Sequence, residues 1–152
     1  MKLYLIASFT ISQLGVWAAE TCRQLPDSNV SDCGADDFFQ IQTITLHGAP
    51  TRGKSLAVSF SGILRKQLTP GTSLVVETKY AGFRVSLSDG DLCTLATQSH
   101  AGYPCPLDPQ NITIDHSFDV PWWAPGGSYD IYSFAYSKTN QELAKVKVTV
   151  TI

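Results

Sequence analysis

A two-residue hydrophobic rhythm is the strongest constraint this sequence places on its fold. Leu56, Val58 and Phe60 alternate with Ser55, Ala57, Ser59 and Ser61. Ile112, Ile114, His116, Phe118 and Val120 alternate with Asn111, Thr113, Asp115, Ser117 and Asp119, and Val146, Val148, Val150 and Ile152 alternate with Lys145, Lys147, Thr149 and Thr151. Successive side chains of a strand point to opposite faces, so each segment reads as a β-strand with one face buried and one wet. Less regular runs lie at 38–46, 73–80, 83–88 and 129–136. Turn-forming clusters separate them: Pro50 to Gly53, Pro70-Gly71, Ala81-Gly82, Asp89-Gly90-Asp91 and Pro125-Gly126-Gly127. No segment beyond the N-terminus holds an amphipathic helical period for three turns. Seven strands in about 110 residues describe an all-β, immunoglobulin-like antiparallel sandwich.

The N-terminus breaks this pattern. Lys2 precedes a mostly apolar stretch from Leu3 to Trp17, and Val16 and Ala18 stand at the −3 and −1 positions of a cleavage site. Residues 1–18 therefore read as a secretory signal peptide, and an oxidising route makes the cysteines legible. Four cysteines allow three pairings, of which Cys22–Cys33 with Cys93–Cys105 closes two short loops and is preferred. Asn29-Val30-Ser31 and Asn111-Ile112-Thr113 are glycosylation sequons suited to the same compartment. Residues 19–34 read as a polar, disulfide-pinned segment ahead of the sandwich at 35–152.

Little here points to bond chemistry. A net charge of −2 with 16% charged residues offers no electrostatic footprint for nucleic acid. There is no G-x-S-x-G elbow, H-E-x-x-H zinc site or P-loop. The cysteines have no CxxC or histidine cluster beside them, so neither a metal nor a cofactor is expected. His47, His100 and His116 are the only histidines. His116 reads as a core or rim residue, although a Ser-His-Asp set assembled from distant positions stays open. Asp89 and Asp91 around a glycine read as a turn rather than a calcium loop. More telling is Trp122-Trp123, placed between Pro121 and Pro125 just past a strand end. An indole has an apolar body and a polar edge, which suits the mouth of a pocket or a membrane-facing lip; the pair is equally suited to stacking on sugars, or one ring folds back into the core.

Six segments, in order, resemble the ML lipid-recognition domains: "DCG" at 32–34, "RGKSLAVSFSG" at 52–62, "GTSLVVETKY" at 71–80, "DLC" with "CPL" around Cys93 and Cys105, "APGGSYDI" at 124–131 and "FAYSKTNQELAKV" at 134–146. The similarity covers about residues 31–152 and is nearest the fungal phosphatidylglycerol/phosphatidylinositol transfer branch, relatives of the soluble Niemann–Pick type C sterol carrier. It implies an apolar cavity between the sheets, no catalytic residues, and the Cys93–Cys105 bridge. One departure stands out. The family's cysteine in the last hairpin is replaced by Lys145, so Cys33 lacks its usual partner and Cys22 substitutes for it. This loss of a clasp would loosen one end.

Taken together, these readings predict a monomeric carrier of a phospholipid or sterol that touches membranes transiently, in the secretory route or a vacuole-like lumen. The expected cavity lining is Val58, Phe60, Leu74, Val76, Ile112, Ile114, Phe118, Ile131, Val146 and Val148, with Trp122 and Trp123 at the mouth. Arg52, Lys79 and Arg84 are candidate partners for an anionic head group. Lipid sequestration without transfer, and sugar binding through the tryptophans, are the alternatives.

Overall fold

The computed structural model describes residues 22–25, 29–34 and 38–152. The segment read as a signal peptide lies outside these. Nine strands and one short helix are present among them: β1 (Arg23–Gln24), β2 (Val30–Asp32), β3 (Phe39–His47), β4 (Ser55–Leu64), β5 (Ser73–Tyr80), β6 (Phe83–Asp91), α1 (Leu92–Gln98), β7 (Asn111–Asp119), β8 (Ser128–Tyr136) and β9 (Glu142–Thr151). They form two antiparallel sheets, a six-stranded one in the order β1-β2-β9-β8-β5-β6 and a three-stranded one in the order β3-β4-β7. The all-β sandwich follows from the alternation: Leu56 and Val58 on β4, Ile112 and Ile114 on β7, and Val146, Val148 and Val150 on β9 are all buried.

Two parts differ from the sequence reading. The polar N-terminal segment supplies two short strands, because β2 continues the large sheet by pairing with β9. The Asp89-Gly90-Asp91 cluster is not a turn. It ends β6, and the Asp91 side chain caps α1 by accepting from the Thr94 N–H at 2.8 Å. A helix of 7 residues is too short to show a helical period. It is held instead by the Cys93–Cys105 disulfide and by burial of Cys93 and Ala96.

The second disulfide joins Cys22 to Cys33. Lys145 sits directly across from Cys33, whose N–H donates to the Lys145 carbonyl at 2.9 Å. Gly34 brings β2 so close to β9 that a Cβ there would lie 2.6 Å from the Lys145 nitrogen. Backbone pairing and close approach thus join β2 to β9 where Lys145 leaves Cys33 no disulfide partner on β9.

Candidate functional site

The two sheets are in contact along one side and splayed along the other. On the closed side, Leu25, Val30, Val58 and Val148 belong to one apolar cluster. The open side lies between β6, an edge of the large sheet, and β7, an edge of the small one. Ser88 and Gly90 on β6 pair with Val76 and Leu74 on β5, and Ser86 pairs with Thr78. Residues opposite one another share a face, so β6 turns two serines and a glycine inward. Ser86, Ser88 and Gly90 are too small to fill the space beneath them. At one end α1 spans the gap, in contact with both β6 and β7.

Two chambers occupy that space. The outer one has a volume of about 610 Å³ and is bordered by Leu56, Leu74, Val76, Tyr80, Val85, Phe118, Tyr129 and Ile131, with Ser86, Ser88 and Gly90 on the β6 side. The inner one, of about 80 Å³, is bordered by Phe38, Phe39, Ile41, Phe60, Leu64, Ile112, Ile114, Ala135 and Val146. Leu74, Leu95, His116 and Phe118 border both, and so stand at the boundary, or neck, between them. The outer volume lies in the range of small-molecule pockets, roughly 300–1,000 Å³.

Of the expected lining, Phe60, Leu74, Val76, Ile112, Ile114, Phe118, Ile131 and Val146 border one chamber or the other. Val58 and Val148 do not, and this is a correction. Both point inward but belong to the closed side, where they are 3% and 6% exposed within the packed cluster. Periodicity finds the inward face; it does not tell a filled stretch from a lined one. It also missed Tyr80, Tyr129, Leu92 and Leu95, the last two because α1 was not recognised.

At the end remote from α1, the loop between β7 and β8 carries the tryptophans. Trp123 borders the outer chamber and Trp122 does not; they are 59% and 78% exposed. Phe83, at the tip of the β5–β6 hairpin, is 77% exposed beside Tyr80, which borders the same chamber. The hairpin turns through Ala81 and Gly82, both with positive φ, as two-residue hairpin loops favour. Tyr80 and Tyr129 pack at 4.9 Å, and their hydroxyls donate to the carbonyls of Gly126 and Pro125. This fixes the tryptophan loop against the large sheet. Burial pushes the Tyr129 hydroxyl above its ordinary pKa, a shift to which Tyr80 adds and Arg52 is opposed. Of the candidate cations, Arg52 is at this end: a Cβ on Gly126 would lie 3.0 Å from its Nη2. Lys79 and Arg84 instead face Glu77, at 3.6 and 4.0 Å. Asn29 and Asn111 are both exposed.

His116 is the one ionisable side chain at the neck. Its ring meets Phe118 edge-on at 4.5 Å, and burial lowers its pKa from the ordinary imidazole value. The other histidines lie elsewhere. His47 Nε2 is 2.6 Å from Ser59 Oγ, and Ser59 Oγ donates to Asp115 at 2.5 Å. This is a Ser-His-Asp set in an unproductive order. Asp115 accepts the serine proton directly and His47 is left to donate, whereas an activated serine needs the histidine as acceptor. None of the three borders a chamber. Among the described residues no group of three or more His, Cys, Asp or Glu side chains is placed to hold a metal ion.

The ML domain model matches residues 27–152. The chain belongs to the ML family. This ML domain is 28% identical over 123 residues to a Dictyostelium discoideum protein provisionally named phosphatidylglycerol/phosphatidylinositol transfer protein 2, covering 80% of this chain and 84% of that one. Three fungal proteins named phosphatidylglycerol/phosphatidylinositol transfer protein match at 25–27%, and the ML chain spans 61–63% of their length. In fold, it is similar to a Niemann-Pick type C2 protein from Japanese carpenter ant (TM-score 0.62, 16% identity, 80% of this chain and 96% of that). It is also similar to chicken MD-1 complexed with lipid IVa (TM-score 0.54, 14% identity, 82% and 91%).

Proposed function

We propose that this ML domain binds one lipid between its sheets and carries it from one membrane to another. The observation that carries this reading is the two-chamber space on the open side, whose inner part is bordered almost wholly by hydrocarbon. The names of the relatives, and the lipid held by chicken MD-1, support it. Acyl chains or a sterol body would occupy the chambers and leave the polar end at the tryptophan loop. Each buried methylene contributes about 0.8 kcal/mol. A dozen would give roughly 10 kcal/mol gross, before the cost of ordering ligand and protein.

Transfer requires the mouth to meet a bilayer. Trp122, Trp123 and Phe83 present apolar area at that end, and tryptophan is well placed at a membrane–water boundary. Arg52 is the cation best placed for an anionic head group such as that of phosphatidylglycerol or phosphatidylinositol. The protein performs no bond chemistry in this scheme, acts as a monomer, and works in the oxidising secretory route, where its two disulfides persist. Phosphatidylglycerol with a pyrenyl acyl chain, packed at self-quenching density in donor vesicles, tests the reading. The protein should speed its appearance in acceptor vesicles; transfer no faster than in buffer would refute the carrier role. Tight retention without transfer would indicate sequestration instead.

A further inference from the structure

The neck between the chambers holds an ionisable group that a lipid carrier does not need. His116 lies on β7 opposite Val58 of β4, and borders both chambers together with Leu74, Leu95 and Phe118. Among the described residues its ring meets Phe118 edge-on and makes no hydrogen bond. Among the described residues no polar side-chain atom without a partner is sealed from solvent, so the ring nitrogens are open to solvent. A chain lying through the neck would shield them from water. An imidazole tolerates this when neutral. An imidazolium does not, because burying a charge without a partner is far more costly than burying a neutral ring.

We propose that His116 is a ligand-contacting residue that makes lipid affinity depend on pH, holding lipid when neutral and releasing it when protonated. The inference rests on the lipid-carrier reading above. The groups around His116 favour it. From β4 it faces Val58, from β5 Leu74 and Val76, and from α1 Leu95, none of which is charged. Asp115, its neighbour on β7, is engaged with Ser59 and the His100 N–H. The ionisable groups bordering the outer chamber are Asp89, Asp119, Tyr80 and Tyr129. Imidazole is the side-chain type whose ordinary pKa lies between pH 5 and 8.

Linkage gives the size of the effect. A ligand that binds only the neutral form loses affinity about tenfold per pH unit below the His116 pKa of the free protein. Dehydroergosterol and pyrenyl phosphatidylglycerol are suitable probes, since neither titrates between pH 4.5 and 7.5. Wild type should bind at pH 7.5 and weaken about tenfold per unit once imidazole protonates, while His116→Phe should show a flat profile. Equal slopes in the two proteins, or no slope in wild type, would overturn the proposal. Binding of neither probe at any pH would remove the carrier reading and this inference with it. Ring-proton NMR of the wild type supplies an independent check should His116→Phe misfold. The His116 resonance, assigned through its contact with Phe118, should titrate below 6.5 in the free protein and lower still with lipid bound. An unchanged midpoint on loading would also overturn the proposal.

Discussion

Gly90→Val is expected to remove ligand space while leaving the fold intact or firmer. Gly90 is on the inward face of β6, opposite Leu74, and borders the outer chamber. A Cβ built there meets no atom within 4 Å, and its φ is not in the left-handed region. Replacing glycine at a compatible position stabilises by about 0.4–1 kcal/mol through the unfolded chain, and valine suits a strand. For a domain of this size that is a rise in Tm of up to about 4 °C. The three side-chain carbons would occupy space for about three ligand methylenes, or about 2.4 kcal/mol, so lipid affinity should fall roughly fiftyfold. Equilibrium binding of pyrenyl phosphatidylglycerol and thermal unfolding, run on both proteins, measure the two effects. Undiminished lipid binding together with a lower Tm would refute the reasoning, since the space beneath β6 would then be neither empty nor where the lipid lies.

The mouth and the scaffold give further expectations. Trp122→Ala and Trp123→Ala should leave Tm nearly unchanged, since both side chains are largely exposed, yet slow vesicle-to-vesicle transfer; unaltered transfer by the double variant would remove the lip role. Replacing Cys93 and Cys105 together by serine should lower stability by about 2–4 kcal/mol in urea unfolding and loosen α1, which hydrogen exchange at 92–98 would register. Asp115 is held below the ordinary carboxylate pKa, first by the Ser59 hydroxyl and then by the His100 N–H. Its contribution is complete above the unfolded-state pKa, near 4, and is lost as pH falls through the lower folded value. Ser59→Ala should therefore flatten the fall of urea midpoints between pH 4 and 2, and an identical fall in both proteins would count against this.

The strands β4, β7 and β9 were legible because each pairs one apolar and one polar face, and β3, β5, β6 and β8 as less regular runs between turn signals. The opening between β6 and β7 was not. A cavity here arises from small residues where large ones would have closed it, and Ser86, Ser88 and Gly90 in a strand look like an ordinary wet face. Val58 and Val148 were assigned to the lining by the same rule that correctly turned them inward. Whether an inward valine meets a facing strand or a void depends on the offset of a three-stranded sheet against a six-stranded one, which no local pattern carries. α1 was hidden by its length, although Asp91 with Thr94 three residues on resembles a helix start. The pairing of Cys22 with Cys33 was readable from loop closure. Its setting, with Lys145 directly across the ladder, needed the structure.

Native mass spectrometry of the purified protein, with lipid extraction alongside, tests the central claim most directly. The account predicts one extra mass per chain, extractable as phospholipid or sterol and less abundant after Gly90→Val. A bare mass that persists after incubation with mixed phospholipid and sterol vesicles would contradict it.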